Sequence, residues 1–197
     1  MTKAENTRKY IVEKTASIFN KKGFAGTSLS DLTGATGLTK GSIYGNFANK
    51  DEVALAVFDH NLGRLNDKID ARVAAGKTSI QKLHEMANFY RSEFKSSLNT
   101  GGCPILNTAV DADDTHPALK QKVSAGIQGW KAKIESIVKK GIQAKEIKHT
   151  VNASAFATEF IALIEGGIML AKVTGNFSML NTCINRALEI IDTELRA

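Results

Sequence analysis

Apolar residues recur every three or four positions along most of the chain, which is the period of amphipathic α-helices. In the first such stretch, residues 5–22, Ile11, Ile18 and Phe19 lie on one face, and Gly23 marks the end. The same periodicity predicts further helices over residues 29–36, 37–47, 49–75, 79–97, 104–111, 117–143, 152–174 and 177–195. With two prolines in 197 residues, the chain has few helix breakers. We therefore expect an all-α protein.

The segment 37–47 has the pattern of a short helix with one apolar side. Ile43 and Phe47 are one helical turn apart and are expected to face the protein. The residues expected to point outward are Lys40, Ser42, Tyr44 and Asn46. Their side chains are of the kinds that bind DNA phosphates and base edges. The segment therefore predicts a helix that enters a DNA groove.

Two local signals place this helix in a helix-turn-helix motif. Ser28 and Asp31 have the spacing of a capping box at the start of the helix over 29–36. Gly37 can supply the positive φ of a tight turn, and Thr39 can accept hydrogen bonds from the amides that follow it. Two short helices joined by a glycine turn make a helix-turn-helix.

The positive charge of the chain is concentrated around this motif. Residues 1–50 hold eight basic and three acidic side chains, which accounts for +5 of the total net charge of +6. A basic segment gains from counterion release when it binds a polyanion. Together with the helix-turn-helix pattern, this charge indicates a double-stranded DNA partner rather than a merely solvated surface.

Cysteine usage and hydropathy indicate a soluble cytoplasmic protein. Cys103 and Cys183 form neither a C-x-x-C motif nor a disulfide framework, which fits a reducing compartment. The N-terminus shows no secretory signal. The most apolar segment, 160–173, contains Glu165 and is shorter than the roughly 20 residues of a membrane span. No cofactor motif is recognised, and we expect neither a cofactor nor a membrane partner.

The last two predicted helices have the pattern of an association surface. An apolar stripe runs along 177–195, and Gly166-Gly167 would let a neighbouring helix approach closely. The stripe consists of Leu180, Ile184, Leu188, Ile191 and Leu195. A two-fold dimer would read two half-sites, whereas one short helix reads few bases. We expect a homodimer through these helices; the alternative is that the stripe belongs to an internal core.

Residues typical of one family recur with its spacing over the first quarter of the chain. They are Gly23-Phe24, Thr27-Ser28, Leu32, Ala35, the run from Gly37 to Tyr44, Phe47, Lys50-Asp51 and Leu55. The chain thereby resembles the TetR family of transcriptional regulators. The resemblance implies an all-helical homodimer with a helix-turn-helix domain over 1–48, built as a three-helix bundle. A larger helical domain over 49–197 would dimerise and sense a small-molecule inducer.

The resemblance also assigns roles to individual residues. It implies that the N-terminal domain binds a palindromic operator, in most family members as a repressor. Phosphate contacts would come from Thr27, Ser28, Tyr44 and Lys50, and contacts to base edges or backbone from Lys40, Gly41 and Ser42. Thr39 and Asn46 are further DNA-binding candidates because they belong to the same segment, not because the resemblance assigns them a role. The family often has aromatic or histidine residues where this chain has Gly45-Asn46, so the operator sequence stays open.

Cys103 is the candidate sensor outside the DNA-binding segment. Pro104 suits the first position of a helix, which would put Cys103 at its cap, where the helix dipole favours a thiolate. The surrounding segment resembles a TetR subgroup in which such a cysteine reacts with electrophiles or oxidants. The alternative is that Cys103 is a small buried residue that only packs.

Apolar residues on neighbouring helices are candidates for an inducer pocket, although their spacing also suits a simple core. They are Phe58, Leu62, Phe89, Phe94, Trp130, Ile134, Phe156 and Phe160. A cavity among helices suits an apolar or aromatic ligand. Such a ligand would favour a dimer with wrongly spaced recognition helices, with the helix that starts near Asn49 transmitting the shift.

Two other functions have some support in the sequence, and a third is disfavoured by it. The cluster Asp111, Asp113, Asp114 and His116 has the oxygen-rich composition of a divalent cation site, which an enzyme could use. The same residues also suit a solvated turn before Pro117. A metal-responsive regulator would need His84, Cys103 and His116 to converge. A general architectural DNA binder would need charge along the whole chain, yet residues 51–197 are nearly neutral.

Overall fold

The computed structural model describes residues 2–197, and these residues are almost entirely helical. The helices are α1 (Lys3–Gly26), α2 (Leu29–Thr36), α3 (Lys40–Tyr44), α4 (Lys50–Ala74), α5 (Ser79–Leu98), α6 (Pro104–Ala112), α7 (Pro117–Gln143), α8 (Ala153–Thr174) and α9 (Phe177–Glu189), followed by a π-helical segment (Ile190–Leu195). Among these residues the β pairing is one isolated bridge between Ile147 and Arg196. The expected all-α class is confirmed.

The chain packs into two compact units. The first contains the chain up to Arg64 together with Asn99–Gly126, and the second contains Leu65–Leu98 together with Ile127–Ala197. Helices α4 and α7 therefore contribute residues to both units. Packing places α6 in the same unit as the helix-turn-helix, whereas the division into a DNA-binding domain over 1–48 and a ligand-sensing and dimerisation domain over 49–197 stays a prediction.

The first unit is built on a buried cluster from α1 to α4. Ile11, Leu32, Ile43 and Val53 are fully buried, so one side chain from each helix meets in the same interior. The sequence predicts that α1 ends at Gly23. The helix breaks there, with Gly23 at φ 73° and ψ 176°, and then continues for one more turn to Gly26. The break gives α1 a short, separately oriented last turn before α2.

The second unit is centred on the pair α8 and α9. A Cβ atom at Gly167 would lie 3.0 Å from both Cys183 Cβ and Leu180 Cδ1, so the glycine allows the two helices to approach closely. The expected close approach is therefore present, but its partner is α9 of the same chain. A Cβ atom at Gly166 would have no neighbouring atom within 4 Å, so this glycine faces open space.

The apolar stripe on the last helix forms part of this intrachain core. Leu180, Ile184, Ile191 and Leu195 are at most 3% exposed, and Leu188 is half-buried. The expectation that these side chains form an association surface is wrong, because α8 and α5 of the same chain already cover them. The structure supports the alternative, in which the stripe belongs to an internal core.

Helix α8 is 22 residues long and apolar enough to span a membrane by length and composition. The apolar segment 160–173 lies within this helix, whose bounds match the predicted range 152–174 within one residue. One side of α8 is buried, with Phe160, Ile164 and Ile168 at most 2% exposed. This is the burial expected of a core helix, which meets the same length and composition test.

Candidate nucleic-acid interface

The turn between α2 and α3 has the geometry that its glycine predicts. Gly37 adopts φ 68° and ends α2, with its N–H donating to Thr33 O at 2.8 Å. Thr39 caps α3 because its Oγ1 accepts from Ser42 N at 3.1 Å. These two residues fix where α2 ends and where α3 begins.

A capping box starts α2, as the spacing of Ser28 and Asp31 predicts. Ser28 Oγ accepts from Asp31 N at 3.2 Å, and Asp31 Oδ2 accepts from Ser28 N at 2.9 Å. Asp31 also forms an ion pair with Lys22 of α1 at 2.6 Å. The bond from Lys22, followed by those from Ser28, lowers the pKa of Asp31 to about 2. The capping residue is therefore ionised at neutral pH and ties α2 to α1.

Helix α3 buries its apolar side and leaves its polar side accessible. Ile43 is fully buried and Phe47 is 1% exposed, as their spacing predicts. Thr39, Lys40 and Gly41 are exposed. The side chains of Ser42, Tyr44 and Asn46 are half-buried. The accessible part of α3 is thus its N-terminal end, which carries the exposed residues Thr39, Lys40 and Gly41.

Arg8 of α1 holds the end of α3 and is a residue that the sequence did not indicate. Its guanidinium donates to Asn46 O and, at 2.7 Å, to Glu52 Oε1. The same group lies 4.0 Å from the centre of the Phe47 ring, a cation–π distance. Arg8 therefore connects α1 and α4 to the chain just after α3.

Glu52 completes this connection. Its Oε2 accepts from Ala48 N at 2.6 Å, while its Oε1 binds Arg8. The Ala48 amide, and then Arg8, lower the pKa of Glu52, which keeps the carboxylate charged. The segment between α3 and α4 is thus held from both sides by one ion pair.

Thr27 and Lys50 have structural contacts that differ from their expected phosphate contacts. Thr27 is 1% exposed and its hydroxyl donates to Gly23 O at 2.6 Å. Lys50 Nζ donates to Phe24 O at 2.9 Å and to Thr27 O at 3.0 Å. Both side chains stabilise the last turn of α1. The Thr27 hydroxyl is inaccessible here, and Lys50 keeps one of its three N–H donors.

The amide of Asn46 is partly used within its own segment. Its Nδ2 donates to Ser42 O at 2.9 Å. The acceptor is a carbonyl, so the nitrogen must face it, and Oδ1 is left to accept. Of the nine residues expected to meet DNA, the structure leaves Ser28, Thr39, Lys40 and Gly41 exposed, Ser42, Tyr44, Asn46 and Lys50 half-buried, and Thr27 buried.

Cys103 occupies the position that the sequence predicts. It is the N-cap of α6, with Pro104 as the first helical residue. Its side chain is 7% exposed and makes no capping hydrogen bond to the first turn of α6. The thiol therefore lies in the interior of the first unit rather than on an open surface.

The candidate pocket residues fall into two groups. Phe58 lines a cavity in the first unit between α1, α4, α6 and α7, but Leu62 and Cys103 do not line it. The cavity offers about 20 Å³ to water, enough for about one molecule, whereas drug-sized ligand sites are roughly 300 Å³ or more. This space is too small for an aromatic inducer in this conformation.

The remaining pocket candidates lie in the second unit and pack as a core. Phe89, Phe94, Trp130, Ile134, Phe156 and Phe160 are each at most 7% exposed. Ring centroids are 5.9 Å apart for Phe156 and Phe160, 5.7 Å for Tyr90 and Trp130, and 5.3 Å for Phe94 and Phe177. A ligand among these rings would have to displace packed side chains.

The acidic cluster near His116 has structural partners instead of a cation. Asp111 Oδ2 accepts from Phe24 N at 2.6 Å, and His116 Nδ1 accepts from Leu119 N at 3.2 Å. Asp113 and Asp114 are exposed. Within residues 2–197, no three His, Cys, Asp or Glu side chains are grouped closely enough to hold a metal ion. The hypotheses of a metal-responsive regulator and of an enzyme at this cluster gain no support.

Comparisons with known proteins agree with this arrangement. The family model described as bacterial regulatory proteins of the tetR family matches residues 11–57. A second model, the tetracyclin repressor-like C-terminal domain, matches residues 79–187. A TetR-family regulator from Cytophaga hutchinsonii has 43% sequence identity and a TM-score of 0.96, with 100% of this chain and 98% of that chain covered.

Two more distant proteins extend the comparison. The transcriptional repressor DhaR from Mycobacterium sp. strain GP1 is 21% identical over 93% of this chain and 91% of its own length. The regulator CifR, in a cysteine mutant complexed with 26-base-pair double-strand operator DNA, shares the fold with a TM-score of 0.83 and 19% identity, covering 92% of this chain and 94% of that chain. With both family models matched in order along a chain that carries a capped helix-turn-helix, this protein belongs to the TetR family of DNA-binding transcriptional regulators.

Proposed function

We propose that this protein is a repressor that binds a palindromic operator as a homodimer and is released by a small molecule. The observation that carries the proposal is the accessible N-terminal side of α3, with Thr39, Lys40 and Gly41 exposed on a buried base of Ile43 and Phe47. The operator complex of CifR and the description of DhaR as a repressor support the analogy.

In this proposal, α3 contacts base edges, and residues next to α3 bind DNA phosphates. Lys40 in the first turn can donate to guanine O6 or N7, the Ser42 hydroxyl can donate to or accept from base edges, and the Oδ1 of Asn46 can accept from them. Ser28, Thr39, Tyr44 and the remaining donor of Lys50 lie around them and would bind the DNA backbone, with Gly41 allowing close approach. Thr27 would act from the interior by holding the end of α1.

The dimer would form mainly through the exposed side of α8, together with the polar outer side of α9. Met169, Leu170 and Val173 are 47%, 41% and 80% exposed, which is unusual for three large apolar residues on one helix end. Gly166, one to two turns earlier, has open space in front of it and would admit a partner helix. This assignment replaces the stripe on α9, which is already buried.

Two kinds of ligand could release the protein from its operator. An apolar inducer would enter among the packed rings of the second unit and repack them. The alternative is an electrophile that reacts with Cys103, whose thiol would first have to become accessible because it is 7% exposed. In both versions the protein acts in the cytoplasm, where its operator DNA is. Neither version requires a cofactor or a catalytic step.

Selection of bound duplexes from a random pool tests the proposal. We expect enrichment of an inverted repeat, and we expect the Lys40→Ala variant to enrich a relaxed sequence at the contacted position. Lys21, an exposed lysine of α1, provides the control as Lys21→Ala. Failure of the wild-type protein to enrich any sequence over competitor DNA at fixed salt would refute sequence-specific binding.

A screen for compounds that release the selected operator tests the ligand. We expect an apolar or aromatic compound to lower operator affinity. For the electrophile version, alkylated protein is titrated with operator and compared with an alkylated Cys103→Ser variant. A compound that binds without changing operator affinity is not the inducer, and unchanged affinity after modification of Cys103 excludes the thiol as sensor.

A further inference from the structure

Two asparagines bond α6 and the loop before it to the C-terminal part of α1. Asn107 Nδ2 donates to Gly101 O at 2.7 Å, to Asn20 O at 2.9 Å and to Asn20 Oδ1 at 3.1 Å. Asn20 Nδ2 in turn donates to Thr100 O at 2.8 Å and Gly102 O at 3.0 Å. Asn20 is 8% exposed and is therefore shielded from water, so these hydrogen bonds satisfy its side-chain amide instead.

The other end of α6 is bonded to the break in α1. Gly23 leaves the helical conformation, and Asp111 Oδ2 accepts from the N–H of the next residue, Phe24, at 2.6 Å. A Cβ atom at Gly23 would lie 2.7 Å from Asp111 Oδ1, and φ at Gly23 is +73°. Asp111 therefore supports a backbone conformation that departs from the helix of α1.

Each of the two attachment points requires a glycine, because a side chain there would collide with the segment opposite. Gly101 has φ +103°, and a Cβ atom there would lie 2.9 Å from Asn20 O. A side chain at Gly23 would likewise collide with the Asp111 carboxylate. The loop at Gly101 and the end of α6 at Asp111 thus approach α1 closely at two points about one turn apart, Asn20 and Gly23. We call the four residues Asn20, Gly23, Asn107 and Asp111 the α6 clamp.

The clamp acts on the part of α1 that leads into the helix-turn-helix. The turn after Gly23 carries the Phe24 and Thr27 carbonyls that Lys50 binds, and Ser28 then caps α2. A change in the position of α6 would move the Phe24 amide and, with it, the start of α2. This route through α1 is separate from the shift through α4 that the sequence suggested.

We propose that the α6 clamp sets the operator-binding arrangement of the helix-turn-helix, so that loosening α6 lowers operator affinity through α1. The inference rests on the proposed function and adds to it four positioning residues that touch no DNA. It predicts that the specific affinity depends on polar side chains of α6 although α6 contributes no DNA contact.

Asn107→Asp is the sharpest test of the clamp. The substitution keeps the shape of the side chain and replaces its one donor group, which serves three oxygens, by a carboxylate oxygen. Asn99→Asp adds the same negative charge at an exposed position of the preceding loop and is the matched control. Affinity is measured for the operator selected by the wild-type protein and for an unrelated duplex of equal length, at one salt concentration.

We expect Asn107→Asp to weaken operator binding about tenfold or more, the effect of losing a part-buried hydrogen-bond network. Binding to the unrelated duplex is expected to match that of Asn99→Asp, because it depends on charge. Asp111→Ala should also weaken operator binding about tenfold, whereas Asp111→Asn, which keeps an oxygen for the Phe24 amide, should lose less. Asp113→Asn, at an exposed position of the same turn, is the control for the charge.

The outcomes separate the clamp from the proposed function. If the wild-type protein selects no operator, the proposed function fails and the clamp with it. If it selects one and folded Asn107→Asp and Asp111→Ala both bind it with wild-type affinity, the clamp alone is refuted. Equal losses for operator and unrelated duplex would also refute it. Circular dichroism verifies folding, and should Asn107→Asp unfold, the Asp111 pair decides alone.

Discussion

At the scale of single residues, the helix-turn-helix depends on a few charged side chains at helix ends. Arg8, Asp31 and Lys50 each bind groups in another helix of the first unit. None of these side chains belongs to α3. The helix that is proposed to read DNA is therefore positioned by residues that lie before and after it.

Arg8→Ala is expected to weaken operator binding about tenfold, because the Asn46 carbonyl and the Glu52 carboxylate lose their shared partner. Lys9→Ala removes the same charge from the neighbouring exposed position and serves as the control. Titration of the selected operator at fixed salt compares the two. Equal affinities for the two variants would mean that Arg8 contributes only its charge.

Asp31 gives a prediction for the pH dependence of stability. Its pKa is lowered from 3.8 to about 2, first by the bond from Lys22. A carboxyl with a lowered pKa in the folded state stabilises the fold fully above about pH 4, and the contribution is lost as the pH falls towards 2. The difference in free energy of unfolding between wild type and Asp31→Asn should therefore shrink over this range.

Urea unfolding at several pH values between 5 and 2 measures this difference. In a Lys22→Ala background the pKa of Asp31 should be less depressed, and the difference should shrink at a higher pH. A difference between wild type and Asp31→Asn that is constant from pH 5 to pH 2 contradicts the assigned role of the carboxylate.

At the scale of elements, glycines decide where helices can approach one another. Two of the three glycines of helix α7 lie in opposite environments. A Cβ atom at Gly141 would lie 2.6 Å from Ile147 Cδ1 and 2.8 Å from Ser79 Cβ, while one at Gly129 would meet nothing within 4 Å. The same residue type is thus required by packing at one position and tolerated at the other.

Gly129→Ala is expected to stabilise the protein by about 1 kcal/mol, the gain in helix propensity at an exposed interior position. Gly141→Ala is expected to destabilise it by about 1–3 kcal/mol, because the new methyl group overlaps buried atoms. Thermal or urea unfolding of the two variants measures both effects. The assignment of packing would be wrong if both alanines had the same effect on stability.

At the scale of the whole molecule, the apolar surface left on α8 is the feature that a single chain does not explain. Val173 is 80% exposed and Met169 is 47% exposed on the same helix. In the first unit, Val110 of α6 is 75% exposed without large apolar neighbours among the exposed residues. The two valines allow the same substitution to be compared on a proposed interface and away from it.

Val173→Glu is expected to weaken homodimerisation at least tenfold, because a symmetric interface receives the charge from both copies. Val110→Glu is expected to leave the dimer intact. Sedimentation velocity over a range of concentrations gives the oligomeric state, and operator titration should show a parallel loss for Val173→Glu. If both variants dimerise with the same affinity, the exposed side of α8 is not the dimer interface.

Much of the fold follows from local patterns. The helices α2, α5, α7 and α8 begin and end within one residue of their predicted bounds, since periodicity, caps and breakers act over a few residues. The buried pair Ile43 and Phe47 was predictable for the same reason. The final helix is an exception, because it changes to π-helical geometry at Ile190 without a local breaker.

Contacts between distant segments were not predictable. Arg8 and Asn46 are 38 positions apart, and Asn20 and Asn107 are 87 apart, so no periodicity relates them. The apolar stripe on α9 was likewise evident from the sequence, but the helices that cover it, α8 and α5, were not. An amphipathic pattern states that a face must be buried but not whether the same chain or a second copy buries it.

The sequence by itself determined the helical class, the turn at Gly37, the capped start of α2 and the family, because these depend on residue types at short, regular spacings. Only the tertiary structure decided that Thr27 faces inward, that Lys50 and Asp111 hold the last turn of α1, and that α9 is covered by its own chain. These outcomes depend on which distant groups compete for the same buried donors, acceptors and apolar surface, and that competition is resolved only when the chain is packed.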